Sequence, residues 1–306
     1  GFVRNVKSCG YNKTIESSVG TSTDVTDDYI AEYSSHGAKM LWTQDGTSIN
    51  IPIEETPVPT WEEDMNEWAN VDDYGATPGD GIDDSVGIQA AIDSGKSTVY
   101  LPHSSGGYDI DNTVYVRGNV KRVMCFTQKS IDVAVEPGFK VVDGFNSPAV
   151  VEFELPYFNP NRSQSAIVNA SNRTLIIRFA RASGGVHTGA GDCFMEDFGS
   201  GHDRFLEFAG GQRAWIKGLN IETWEEPQSH LVSTGSTVSV LGYKTENSGT
   251  YVEARNGASI EMLGHLAYTS NSGGYPMYKL TDSSFSGTWR DAYFWPDNPY
   301  NVQVQE

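Results

Sequence analysis

Short apolar segments separated by glycine, asparagine, aspartate or serine recur along the chain from about residue 98 to residue 285. Apolar runs of this length between turn residues predict β-strands. Because no helical pattern interrupts them, they favour a sandwich, a barrel or a solenoid. The segments are "STVYLP", "NTVYV", "VKRVMCF", "SIDVAV", "AVVEFEL", "TLIIRFA", "RFLEFA", "AWIKGLNIE", "TVSVLGYKTE" and "ASIEMLG".

A repeat late in this region favours one of these folds. The segments "IKGLNIE", "VLGYKTE" and "MLGHLAY" align on Gly218, Gly242 and Gly264, which are 24 and 22 residues apart. One such repeat per coil is typical of a solenoid. A β-meander can produce the same spacing, so a sandwich stays open as the alternative. The sequence therefore predicts an all-β solenoid of parallel coils over residues 98 to 285.

One amphipathic helix is predicted at residues 84 to 94. Asp83 and Asp84 precede its apolar positions, where acidic groups suit a helix N-terminus, and Gly95 suits its C-terminal end. A solenoid leaves backbone N–H and C=O groups unpaired at its first coil, so this coil needs a cover. We expect the helix to cap it through Ile88, Ala91 and Ile92.

The stretch "VDDYGATPGDGIDDSVGIQAAIDSGKSTVYLP", residues 71 to 102, also resembles the opening signature of the pectate lyase superfamily. The resemblance lies in "DYGA", "GDGIDD", the "IQAAID" helix and the "VYLP" strand, and it implies a right-handed parallel β-helix. The chain is further similar to secreted proteins related to family 28 glycoside hydrolases. This likeness implies an extracellular or cell-surface location.

The proline-rich segment "NIPIEETPVPTW" indicates an extended linker. The resemblance extends to the two-domain layout of family 55 glucanases, which implies that residues 1–58 are the end of a preceding β-helix domain plus the linker. Residues 59–306 then form the β-helix domain. The chain opens on "GFVRNV", which alternates as a strand does, so we expect an upstream domain against which it packs.

The chain carries 21 Lys and Arg against 40 Asp and Glu, a net charge of −19. This charge repels nucleic acid and anionic lipid, so nucleic acid is not an expected partner. No apolar run approaches the roughly 18 residues of a membrane span. A neutral polysaccharide meets no electrostatic penalty, whereas a polyuronate requires local cations. The three cysteines are too scattered for a disulfide framework and are expected to be buried thiols.

Glutamates in the repeat are the first candidates for chemistry. Parallel strands lie ~4.8 Å apart, so the register places Glu222, Glu246 and Tyr268 on one ladder, with Lys244 on the same face. Carboxyl groups about 5 Å apart suit a retaining glycoside hydrolase, which predicts Glu222 and Glu246 as catalytic and Lys244 and Tyr268 as substrate-binding. The alternative is that these acids are solvated and Lys244 forms a surface ion pair.

A second candidate is the glycine-flanked polar loop "GAGDCFMEDFGSGHDRFLEF". His202 and Asp203 are its candidate catalytic residues and Arg204 is a candidate for substrate binding. The "GHD" sequence is similar to part of the family 28 pattern, but the NTD, DD and RIK motifs of that family are absent. The alternative is a turn in which Asp203 and Arg204 pair in solvent.

Two further features bear on ligands. No cofactor is expected, and calcium is the one candidate, because pectate lyases hold it with carboxylates and "PGDGIDDS" offers several. This segment lacks the spacing of a calcium loop, so we interpret it as part of the cap.

The late aromatic residues suit either sugar stacking or a plug over the last coil, and the plug is favoured. They are Trp289, Tyr293, Trp295 and Tyr300.

Together these observations predict an extracellular polysaccharide-active protein. Glycoside hydrolysis by paired carboxylates is the leading mechanism. The alternative is a non-catalytic carbohydrate-binding or structural β-helix module. A polysaccharide lyase is third, because elimination beside a uronate requires a positively lined groove and the chain is acidic.

Overall fold

The computed structural model describes two compact units, Gly1–Asn50 and Ile51–Glu306. The described residues are 1–16, 24–37, 47–126, 131–144, 150–154, 157–159, 165–200, 205–222, 229–246, 249–269, 274–293, 300 and 302–306. In the first unit, β1 (Phe2–Lys7) pairs with β2 (Tyr29–Ser34) in antiparallel fashion. That this unit ends a preceding β-helix domain stays a prediction.

The second unit is a parallel β-solenoid, which confirms the predicted fold class. Its main sheet has ten strands, each paired with a strand of the next coil. The strands, in order across the sheet, are β3 (Ala69–Asn70), β4 (Thr98–Leu101), β7 (Arg122–Cys125), β10 (Val150–Glu154), β12 (Thr174–Arg178), β14 (Cys193–Ser200), β16 (Arg213–Ile221), β18 (Thr237–Glu246), β20 (Ser259–Thr269) and β22 (Ser284–Tyr293).

Three smaller parallel sheets complete the coils. One has six strands, one has three and one has two. The first comprises β13 (Val186–His187), β15 (Leu206–Phe208), β17 (Leu231–Thr234), β19 (Val252–Arg255), β21 (Tyr278–Thr281) and β23 (Val304–Gln305). The second comprises β6 (Val114–Val116), β9 (Phe139–Val141) and β11 (Ile167–Asn169), and the third comprises β5 (Asp109–Ile110) and β8 (Asp132–Val133).

The core fills the interior of the coils with stacked apolar and aromatic side chains. Phe139 and Phe153 pack edge to face, with ring centroids 5.5 Å apart. Later coils stack Tyr243 on His265, with centroids 4.5 Å apart. Burial lowers the pKa of His265 to about 3, so its imidazole is neutral near neutral pH. Cys125 and Cys193 are buried as expected, but Cys9 is exposed.

The long strands of the main sheet bend at one position of each coil. Gly218, Gly242 and Gly264 occupy this position with φ of 75°, 77° and 82°. Their neighbours pair in register, with Leu219 opposite Tyr243 and Tyr243 opposite His265. The register predicted from the repeat is therefore confirmed. Only glycine adopts this left-handed conformation without steric cost.

The same column continues into earlier coils without glycine. Glu196 pairs with Arg178 on one side and Lys217 on the other, so Phe179 and Asp197 precede Gly218 in the column. Both have left-handed backbones, with φ of 53° and 51°. We call this set the bend column, which consists of Phe179, Asp197, Gly218, Gly242 and Gly264.

The predicted capping helix is present as α1 (Ser85–Asp93). It packs against the 3-10 helix Val71–Tyr74 and against β3, the terminal strand of the main sheet. A second 3-10 helix covers Met65–Glu67. The apolar face of α1 is fully buried in the core, as expected, and consists of Ile88, Ala91 and Ile92.

The acidic segment before α1 is structural. Asp83 accepts hydrogen bonds from the backbone N–H groups of Ser85 and Asp111 and from Asn112. Burial acts to raise the pKa of Asp83, but these hydrogen bonds outweigh it and lower the pKa to about 2. The two carboxylate oxygens of Asp84 accept from the N–H groups of Thr77 and Asp109. No group of three His, Cys, Asp or Glu suited to a metal ion occurs among the described residues.

The last coils are covered by aromatic side chains. Trp289 packs on Tyr278 with ring centroids 4.9 Å apart, and Tyr300 packs on Tyr251 at 5.2 Å. Both are the contacts expected of a plug. Trp295 and the side chain of Tyr293 lie outside the described residues.

In the described part of the chain, no helix has the length and apolar character needed to cross a membrane.

Ile88→Asp should destabilise the solenoid because it places a carboxylate in the buried face of α1. The Ile88 side chain is 0% exposed, so losing its burial costs about 1.5–3 kcal/mol before the penalty of burying a charge is added. Chemical denaturation measures the loss. Val86→Asp is the matched control, since Val86 is 75% exposed on the same helix. Equal stability of the two variants would rule out the cap.

Gly242→Ala should destabilise the domain because alanine disfavours a φ of 77°. The expected loss is about 1–2 kcal/mol, the cost of a left-handed L-residue. Gly199→Ala is the control, because Gly199 has ordinary backbone angles and its added Cβ would meet nothing closer than 3.8 Å. Gly242→Asn should lose less stability than Gly242→Ala, because asparagine adopts a left-handed backbone more readily than alanine. A loss no greater in Gly242→Ala than in Gly199→Ala would contradict the bend.

Candidate functional site

A groove with a volume of about 650 Å³ follows the bend of the main sheet. It crosses β14, β16, β18 and β20, so it runs perpendicular to the strands and along the stack of coils. We call it the bend groove. Its floor is open because Gly199, Gly218, Gly242 and Gly264 carry no side chain. Its described polar lining residues are Arg181, Asp197, Ser200, Asn220, Glu222 and Lys244.

The outer side of the groove is a second column of in-register residues, two positions after the bend column. Bridges and ladder pairs connect each member to the next. We call it the outer column, which consists of Tyr157, Arg181, Gly199, Asn220, Lys244, Leu266 and Arg290. The residues between the two columns, such as Leu219 and Tyr243, point into the core and are buried.

The outward face of the sheet before the bend is covered by residues 51–62. The indole Nε1 of Trp215 donates to the carbonyl oxygen of Pro52 at 2.9 Å. Trp215 also stacks on Phe194, with ring centroids 4.8 Å apart. This proline-rich segment therefore packs on the sheet, beside the bend column. Its other contacts join Glu55 to Lys217, Thr56 to Glu196 and Pro57 to Arg178.

Lys244 lies between the two glutamates that the sequence singles out. Its ammonium group forms ion pairs with Glu222 and, at 2.6 Å, with Glu246. Burial acts to raise the pKa of Glu222, but hydrogen bonds from Lys244 and Asn220 outweigh it and lower the pKa. Desolvation likewise acts to lower the pKa of Lys244, and its hydrogen bonds to both glutamates raise it instead. Glu222 and Lys244 are therefore held in their charged forms.

This triad has the predicted register, but its charge state differs from the one that a retaining pair requires. Glu246 pairs with Tyr268 on the next strand, as the repeat predicts. A retaining mechanism needs one carboxyl group protonated near neutral pH, through a raised pKa. The pKa of Glu222 moves in the opposite direction. The catalytic roles of Glu222 and Glu246 and the binding roles of Lys244 and Tyr268 stay predictions.

The first part of the second candidate segment, "GAGDCFMEDFGSGHDRFLEF", forms a β-strand. The sequence "CFMEDFGS" forms β14, not a loop, and its acidic residues are placed by strand pairing. Asp192 pairs with Arg213 at 2.5 Å, and Glu196 pairs with Arg178. The other half holds the candidates His202, Asp203 and Arg204, which lie outside the described residues.

Sequence reasoning did not single out three residues near the β12 end of the groove, which are Tyr157, Phe179 and Arg181. Phe179 is 52% exposed although it is apolar, and it lies in the bend column. Arg181 lines the groove and lies over the ring of Tyr157, with its Cζ 6.0 Å from the ring centroid. Extending the glycine register back through Asp197 would have found them. Glycine was the marker of that register, and these coils carry Phe179 and Asp197 instead.

Lys244→Met should raise the pKa of Glu222. The ammonium group supplies both a hydrogen bond and a positive charge to Glu222, and without them burial acts to raise the pKa. NMR titration of glutamate side-chain carbons measures this, with Glu222→Gln to assign the signal. Lys217→Met is the matched control, because Lys217 pairs with Glu55 outside the triad. An unchanged Glu222 titration in Lys244→Met would show that the ion pair does not control the site.

No protein-family model matches the chain, and the comparison with curated proteins found no match. Among solved structures it is similar to ORF18 of Geobacillus virus E2, with a TM-score of 0.35, 11% identity and coverage of 75% of this chain and 62% of the viral chain. It is also similar to the A-module of the Azotobacter vinelandii mannuronan C-5 epimerase AlgE4, with a TM-score of 0.23, 14% identity and coverage of 76% and 99%. The chain thus covers less than two thirds of the viral protein's length. These likenesses concern the β-solenoid fold and carry no argument about activity.

Proposed function

We propose that this protein binds an extended polysaccharide that lies along the bend groove. The observation that carries the proposal is the shape of the groove, which crosses successive coils on a floor of glycine. From β12 to β20 the bend column spans four strand spacings, about 19 Å. A groove of this length accommodates several sugar rings in a row. The resemblance of residues 71 to 102 to the pectate lyase superfamily supports the same ligand class and an extracellular setting.

The polar lining supports a polyhydroxylated ligand. Asn220 contributes an amide group to the groove lining. Asp197 also lines the groove and offers acceptors for sugar hydroxyl groups. A small number of polar side chains at fixed positions orients a ligand in a binding site. The described lining carries two cations, Arg181 and Lys244, against two carboxylates, Asp197 and Glu222, so a mainly neutral glycan meets no net charge.

Hydrolysis is the second candidate function, since Glu222 follows β16 and lines the groove, and Glu246 ends the adjacent strand β18. Binding is preferred because Lys244 forms ion pairs with both carboxylates and lowers the pKa of Glu222, whereas a general acid must carry a proton. A lyase is third. Its substrate would require a positively lined groove, and the described lining is balanced.

Gly199→Leu should weaken glycan binding without unfolding the protein. A Cβ added at Gly199 would meet nothing closer than 3.8 Å, so a leucine side chain extends into the groove with little strain. We expect at least tenfold weaker binding, about 1.4 kcal/mol, to the best ligand in a panel of neutral oligosaccharides titrated by calorimetry. Ala90→Leu, at an exposed position of α1 outside the groove, is the control.

The same panel is assayed for new reducing ends and for the absorbance of unsaturated products. Binding without product, lost in Gly199→Leu only, is the expected result. Release of reducing ends that disappears in Glu246→Gln would instead make hydrolysis the function and restore the paired-carboxylate mechanism. Binding that survives unchanged in Gly199→Leu would place the ligand outside the groove.

A further inference from the structure

We propose that Arg181, with the rings of Tyr157 and Phe179, forms a subsite for an acidic sugar at the β12 end of the bend groove. The inference rests on the proposed glycan binding and specifies its ligand. The polymer is a heteropolysaccharide in which only some sugars carry a carboxylate.

The first observation is the position of the Arg181 side chain. Arg181 pairs with Tyr157 on one side and with Gly199 on the other, so it belongs to the outer column. Its guanidinium lies over the ring of Tyr157, 6.0 Å from the centroid, an arrangement that favours a defined orientation. On the other side Gly199 leaves space, because a Cβ there would meet nothing closer than 3.8 Å.

The second observation is the unusual state of Phe179. Its φ of 53° is rare for a bulky residue, and its ring is 52% exposed. Strained backbones of this kind persist where the surrounding structure determines them and concentrate at functional sites. Here the N–H of Phe179 donates to the carbonyl of Glu196 at 2.8 Å, and the next residue, Ala180, is buried. The fold therefore presents an apolar ring to solvent two residues before Arg181 in the chain.

These groups match the two parts of an acidic sugar. An exposed aromatic ring stacks on the apolar C–H face of a pyranose, and a guanidinium binds a carboxylate through two parallel hydrogen bonds. Of the described cations that line the groove, Lys244 is already paired with two carboxylates. Arg181 has no such ion pair within the described part of the chain.

The charge around this subsite limits how acidic the ligand is. Asp197 and Glu222 line the same groove, and the whole chain carries a net charge of −19. A polymer with a carboxylate on every sugar would meet repulsion along the groove and gain attraction from Arg181 alone at this end. One carboxylate among neutral sugars meets Arg181 without that penalty.

The test compares three probes of equal length on the same protein by calorimetry. They are a neutral gluco-oligosaccharide, the same oligosaccharide with one glucuronate, and an oligoglucuronate. The singly acidic probe should bind about tenfold more tightly than the neutral one and more tightly than the fully acidic one. Raising the salt concentration should reduce this preference.

Arg181→Gln should abolish the preference by weakening the singly acidic probe about tenfold more than the neutral probe, with Arg181→Lys intermediate. Phe179→Ala should weaken the binding of the neutral probe and of the singly acidic probe by the same factor. Arg290→Gln is the matched control, since Arg290 lies on the same outer column beyond the groove lining. Melting temperatures identify any variant that fails to fold.

The outcomes separate the two proposals. Binding of all probes without an acidic preference, or a preference that persists in Arg181→Gln, overturns the subsite and leaves the glycan groove standing. Absence of binding to every probe overturns the groove and the subsite together. Loss of the preference in Arg290→Gln as well would assign it to general charge and not to Arg181.

Discussion

In-register pairing of parallel strands, through backbone hydrogen bonds from each coil to the next, determines where every functional side chain of the solenoid lies. The pairing of Leu219 with Tyr243 and of Tyr243 with His265 directs one column into the core. The same pairing directs Asn220 and Lys244 outward. Because side chains alternate along a strand, a shift of one residue would bury Lys244 and expose Tyr243. Core packing and the site therefore stabilise the same register.

The left-handed residue in each coil converts this flat ladder into a groove. Without the bend, the outward faces on the two sides of the column would form one continuous surface, and residues 51–62 would cover part of it. With the bend, the covered face ends beside the column and the outer column faces solvent. Glycine occupies the column in β16, β18 and β20, whereas Asp197 occupies it in β14 and Phe179 directly after β12. The strain of these two positions is thus confined to one end of the groove.

The repeat and the helix could be predicted because their signals are local. Gly218, Gly242 and Gly264 mark the bend in three successive coils, and a short amphipathic pattern marks α1. The cover over the sheet could not be predicted, since Trp215 and Pro52 are 163 residues apart and no local pattern joins them. β14 was predicted as a loop because its acidic residues conceal the alternation. Its acids are tolerated at outward positions by cross-strand arginines, such as Arg178 beside Glu196.

Charge pairing distinguishes the two ends of the groove. At the β18 end Lys244 is bound by two carboxylates, so a ligand that recruits it must first replace two ion pairs. At the β12 end Arg181 rests on the Tyr157 ring and forms no ion pair within the described part of the chain. Displacing a paired ammonium costs the ligand part of its gain, whereas a stacked guanidinium is already oriented for binding. Under the proposed subsite, a polysaccharide with one carboxylate places its acidic sugar at the β12 end of the groove.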